Sequence, residues 1–131
     1  MKFWGGDVLK NTAKILAKYA QKDILYIEDL KLKNYYVYRI LQTNYEKLAN
    51  TLFNDFGVGI YDEKHKYRTL GNLYAYLKIT YSEEINLTQL RKNNWYEYLQ
   101  IAKFGNPKRI LTGFGFKVVY DKDKQRCKDG D

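Results

Sequence analysis

Ile24-Leu25-Tyr26-Ile27-Glu28-Asp29-Leu30-Lys31-Leu32-Lys33-Asn34-Tyr35-Tyr36-Val37-Tyr38-Arg39-Ile40-Leu41-Gln42-Thr43 is the stretch on which the reading of this chain depends. Ile27, Leu30 and Leu32 are placed to anchor a short helix and the turn after it. Asn34 is a good N-cap, because its side-chain oxygen can accept from a backbone N–H of the next helix. Val37 and Leu41 then lie one turn apart on the buried side of that helix. Two short helices joined by a tight turn are the expected result. Tyr35, Tyr36, Tyr38 and Arg39 remain for the outward side.

A similar phrase returns downstream. Ile27-x-x-Leu30-x-x-x-Asn34-Tyr35-Tyr36-x-Tyr38 matches Leu87-x-x-Leu90-x-x-x-Asn94-Trp95-Tyr96-x-Tyr98 at a constant offset of 60 (87 − 27). Phe56-Gly57 pairs with Phe114-Gly115, and Tyr61-Asp62 with Tyr120-Asp121. Asn94 with Glu97 reads as a capping box, and Asn106-Pro107 as a cap followed by Pro in the first helical position. The near-constant spacing implies two related units, at 24–70 and 83–126, inside one compact domain spanning 1–131. Chance matching in a chain rich in Leu, Asn, Tyr and Lys is the alternative.

Upstream, residues 7–21 read as a helix capped by Asp7, with Val8, Ile15, Leu16 and Tyr19 on its apolar face. Lys10, Lys14 and Lys18 form a ridge on the opposite side, suited to a phosphate backbone or simply to solvent. Between the two phrases, Asn44 and Gly57 bracket a helix that buries Leu48, Leu52, Phe53 and Phe56. Residues 58–61 and 66–70 then read as a β-hairpin with Asp62-Glu63-Lys64-His65 at its tip. In 71–82, Leu73, Leu77 and Tyr81 suit a helix, whereas Leu77, Ile79 and Tyr81 suit a strand. The later half is expected to be strand. Residues 116–120 are β-rich, and the polar tail 127–131 is expected to fray.

Composition narrows the function classes. The 131 residues carry 23 Lys+Arg against 15 Asp+Glu, a net charge of +8, with 14 Tyr and 17% aromatics. No apolar run suits a bilayer span, and the first residues lack the apolar stretch of a secretion signal, so an intracellular location is expected. One Cys (Cys127) and one His (His65) are too few for structural zinc, so neither metal nor cofactor is expected. Ser82, the lone serine, has no nucleophile elbow around it. Asp55 with Asp62 and Lys64 only faintly suggests a metal-dependent nuclease. A non-enzymatic binding protein is the expected class.

The net charge and the ring-bearing helix starts together suit a polyanion. Residues 27–41, with the helix and hairpin that follow to Arg68, resemble winged helix-turn-helix DNA-binding domains. Residues 87–126 resemble a degenerate second copy. The resemblance implies an α+β fold, a small helical core with β-hairpin wings arranged as two tandem winged-helix-like units. It also implies a transcriptional or replication regulator that binds duplex DNA. The candidate nucleic-acid contacts are Lys10, Lys14, Lys18, Lys33, Tyr35, Tyr38, Arg39, Lys64, Lys66, Arg68, Trp95, Lys108, Arg109, Lys124 and Arg126. The Lys-, Tyr- and Asn-rich, Pro-poor composition is similar to that of small viral or mobile-element proteins. A viral inhibitor of a host protein or nucleoprotein is the competing expectation, since Tyr and Trp also serve as interface anchors.

Overall fold

The computed structural model describes residues 6–121. Among them, eight α-helices alternate with two pairs of three-residue strands, a small α+β architecture. The chain divides into two compact units, the first ending at Ile79 and the second beginning at Thr80.

In the first unit, α1 (Gly6–Ala17) precedes β1 (Ile24–Tyr26), α2 (Ile27–Lys33), α3 (Tyr35–Thr43), α4 (Tyr45–Phe56) and β2 (Gly59–Tyr61). Helix α5 (Leu70–Thr80) leads into the second unit, with β3 (Glu84–Asn86), α6 (Leu87–Asn93), α7 (Trp95–Ala102), α8 (Pro107–Gly113) and β4 (Lys117–Val119). β1 pairs with β2 in parallel, Ile24 opposite Gly59 and Tyr26 opposite Tyr61. β3 pairs with β4 in the same sense, Glu84 opposite Lys117 and Asn86 opposite Val119. Each unit thus contains a strand, three helices and a returning parallel strand. A parallel partner requires a long crossover, and the three helices supply it.

The repeat is therefore structural as well as textual. β1, α2 and α3 begin at residues 24, 27 and 35, while β3, α6 and α7 begin at 84, 87 and 95, an offset of 60 throughout. Asn34 and Asn94 each end one helix and start the next, donating their backbone N–H to Leu30 and Leu90 respectively, both at 2.8 Å. Their side-chain oxygens accept from Val37 N at 3.2 Å and Glu97 N at 3.3 Å. Asn106 caps α8 through Arg109 N at 3.2 Å, with Pro107 opening the helix. Gly57 ends α4 in the left-handed conformation at φ 67°, and Gly115 in the second unit also has positive φ. Asn44 occupies the start of α4, but its side chain makes no capping hydrogen bond.

The first unit's core comprises Ala13 and Leu16 of α1, Leu25, Ile27, Leu30, Leu41, and Leu48 and Leu52 of α4. In the second unit Ile85, Leu87, Leu90, Ile101, Leu111, Phe114 and Phe116 are buried. Leu32 is not an anchor: it is 85% exposed. The buried stripe of α1 runs through Leu9, Ala13, Leu16 and Ala17, which leaves Val8 and Ile15 exposed. That helix ends at Ala17 rather than near residue 21, and Asp7 sits inside its first turn.

Two further expectations are corrected. The hairpin of 58–61 with 66–70 does not form, because β2 pairs with β1 instead. No β-hairpin wing occurs among the described residues, where both strand pairs are parallel. Residues 71–80 are helical throughout, not strand in their later half. Thr69 starts α5, its Oγ1 accepting from Asn72 N at 3.1 Å while Asn72 Oδ1 accepts from Thr69 N at 3.2 Å. This reciprocal cap leaves residues 66–69 as a turn.

Asn72 also secures the route of the chain. It donates to Ile60 O at 2.9 Å and to the Tyr45 hydroxyl at 3.0 Å, and Tyr45 donates to Asp62 at 2.9 Å. Asp62 accepts from Lys64 N as well, which folds Glu63–His65 into a 3₁₀ turn rather than an exposed hairpin tip. Burial pushes the Tyr45 phenol well above its ordinary range, with Asp62 adding to the effect.

Candidate functional site

The feature that the two units share on their surfaces begins at Asn34 and Asn94. By capping α3 and α7, these residues set the next two side chains at the outer edge of the helix start. Tyr35 and Tyr36 are exposed, Tyr36 by 74%; Trp95 and Tyr96 are exposed likewise, Tyr96 by 64%. Tyr38 and Tyr98, one turn on, are half-buried. The Tyr35 and Tyr38 rings lie 5.6 Å apart at 31°, and Trp95 and Tyr98 lie 5.4 Å apart at 16°. The Trp95–Tyr98 pair is stacked, whereas the Tyr35–Tyr38 pair is tilted; both avoid the face-to-face sandwich that aromatic quadrupoles disfavour.

Each ring pair carries a cation. Lys31 Nζ is 5.5 Å from the Tyr38 centroid, and the Arg39 guanidinium is 5.9 Å from that of Tyr35. In the second unit the Arg91 guanidinium is 5.9 Å from Trp95 and 5.7 Å from Tyr98. Lys31 and Arg91 occupy equivalent places, again 60 positions apart. Neither was among the residues singled out from the sequence. The signal that would have found them is a basic residue at the same repeat position in both copies.

A solvent-open cavity of about 650 Å³ adjoins the second stack, walled by Arg91, Lys92, Trp95, Tyr98, Pro107 and Lys108. Among the described residues, no group of His, Cys, Asp or Glu gathers as a metal site would require. Asp55 is exposed on α4, whereas Asp62 is buried and engaged by Tyr45.

The other residues expected to touch nucleic acid are differently placed. Lys10 and Lys14 are exposed on α1, and Lys18 is exposed in the turn beyond it. Lys33 pairs with Asp29 at 3.2 Å. Lys66 pairs with Glu63 at 3.8 Å and lies over the Tyr76 ring. Arg68 pairs with Glu46 at 3.2 Å and lies over the Tyr45 ring. Lys64 is exposed in the 3₁₀ turn, and Lys108 and Arg109 are exposed in the first turn of α8. Lys124 and Arg126 lie outside the described residues. Lys33, Lys66 and Arg68 already have carboxylate partners, so a phosphate must compete for them. Arg39, Lys31 and Arg91 face aromatic rings instead.

No helix among the described residues is long and apolar enough to cross a membrane. Compared with models of known families, with curated proteins and with solved structures, the chain matches none.

Proposed function

We propose that this chain is a small, non-enzymatic DNA-binding protein that acts as a transcriptional or replication regulator. The observation that carries the reading is the twofold occurrence of one constellation: an Asn-capped helix whose first turn presents exposed rings beside a cation. Each element suits DNA. A net charge of +8 supplies the counterion-release contribution that grows with each phosphate neutralised. Arg39 on α3 can reach guanine edges with a bidentate fork, and exposed Tyr and Trp rings can contact sugars, methyl groups or bases. The two short helices α2 and α3, joined at Asn34, support a helix-turn-helix reading. Without a hairpin wing among the described residues, backbone contacts fall to the exposed Lys10, Lys14, Lys18, Lys64, Lys108 and Arg109.

Titration of labelled duplex DNA at several salt concentrations tests this. The expected outcome is binding that weakens steeply as salt rises, with Arg39→Ala weakening it roughly 5- to 150-fold, equivalent to about 1–3 kcal/mol. Absence of binding at low salt refutes the reading. A host-protein inhibitor would then account better for the exposed rings.

A further inference from the structure

The two ring pairs are equivalent by position and unequal in chemistry. Helix α6, Leu87-Thr88-Gln89-Leu90-Arg91-Lys92-Asn93, contains two basic residues and no acid. Its counterpart α2, Ile27-Glu28-Asp29-Leu30-Lys31-Leu32-Lys33, balances two acids against two bases. Where the second unit has Thr88 and Lys92, the first has Glu28 and an exposed Leu32. The cavity beside Trp95 is lined by Arg91, Lys92 and Lys108 and, among the described residues, by no carboxylate. Its size falls inside the range of about 300–1,000 Å³ in which small-ligand sites lie.

A cavity with an indole wall and three cations selects for a planar ring joined to phosphate. The rings of paired bases in a duplex are stacked on their neighbours and offer only their edges, so a ring presented face-on has to be unpaired. Resting on the nucleic-acid reading above, we infer that the second unit's cavity binds a single unpaired nucleotide. The base stacks on Trp95, extending the Trp95–Tyr98 stack that Arg91 already flanks. The phosphate sits among Arg91, Lys92 and Lys108. In the first unit Glu28 and Leu32 stand where the second has Thr88 and Lys92, so the corresponding surface favours phosphate less. The two ring pairs thus share a place in their units, and the difference in the preceding helix makes one of them nucleotide-selective.

The full chain is titrated at fixed low salt with three probes: a short oligo-dT single strand, a blunt duplex of the same length, and thymidine 5′-monophosphate. Oligo-dT is expected to bind, with Trp95→Leu weakening it about tenfold to a hundredfold, as loss of one stacked base implies. Arg91→Gln, which leaves the indole in place, is expected to weaken it and to flatten its salt dependence. Lys103→Gln, a change of equal charge at an exposed position away from the cavity lining, is expected to weaken it much less. Competition by thymidine monophosphate identifies a free nucleotide as sufficient; failure to compete identifies a nucleotide within a strand. If duplex DNA binds while oligo-dT binding is unchanged by both Trp95→Leu and Arg91→Gln, the cavity assignment is overturned and the DNA reading stands. If none of the probes binds, both fall.

Discussion

Asn34 and Asn94 show how much one side chain can decide. Each closes a seven-residue helix with its backbone N–H and opens the next with its amide oxygen. Asn34 also donates to the Tyr19 hydroxyl at 2.9 Å, and Asn94 to Glu97 Oε1 at 2.8 Å. Replacing either by Ala is expected to cost about 1 kcal/mol in chemical denaturation, and to loosen the ring pair that follows it. A second test concerns Tyr45, whose hydroxyl joins Asn72 and Asp62 in a buried chain of hydrogen bonds. Tyr45→Phe keeps the ring but removes one hydrogen bond each from Asn72 and Asp62 in a buried setting, and about 1–3 kcal/mol of stability should be lost. An unchanged denaturation midpoint for Tyr45→Phe would show that water replaces the hydroxyl without penalty.

Among the elements, the pairing of β2 and the start of α5 depend on close backbone approach. A Cβ at Gly59 would lie 2.5 Å from the Gly71 carbonyl oxygen and 2.8 Å from Tyr74 Cδ2. Because the nearest atom is backbone, Gly59→Ala has to push helix and strand apart. The expected loss is about 1–3 kcal/mol, read as a lower thermal midpoint. Gly113→Ala, where an added Cβ meets nothing within 4 Å, is the control and should be nearly silent. This closeness is also why the sequence misled over 66–82. An alternating Lys66-Tyr67-Arg68-Thr69-Leu70 resembles a strand, and the reciprocal cap uses Asn72 where Glu or Gln is the familiar partner. Helix α5 is buried along nearly every side from Gly71 to Ala75, so it lacks the one-sided periodicity that marks a surface helix.

Over the whole molecule, tyrosine is abundant enough to shape the pH response. Burial raises the phenols of Tyr45 and Tyr74 above the ordinary value of 10.0, and Tyr74 also donates to Asp23. A raised folded-state value means that folding favours the neutral phenol. That stability is complete below about pH 10 and is lost as pH climbs through the folded-state values. Urea denaturation between about pH 8 and pH 11 should show a flat midpoint that falls at the alkaline end, along with tyrosinate absorbance. A midpoint that stays flat to about pH 11 would contradict this assignment.

What the chain's letters determined alone is local and repeated. The capping asparagines, the helix pair around each, the C-terminal glycine of α4, the outward rings and the 60-residue register all follow from short-range hydrogen bonding and spacing. Tertiary structure decided which strand meets which. Three-residue strands such as Ile24-Leu25-Tyr26 and Gly59-Ile60-Tyr61 carry too little periodicity to name a partner more than thirty residues away. The partner is chosen by how α2, α3 and α4 pack, which no local pattern encodes. The same packing exposed Leu32, Val8 and Ile15 and placed Arg91 against Trp95, because burial depends on what neighbours are present and not on hydropathy alone.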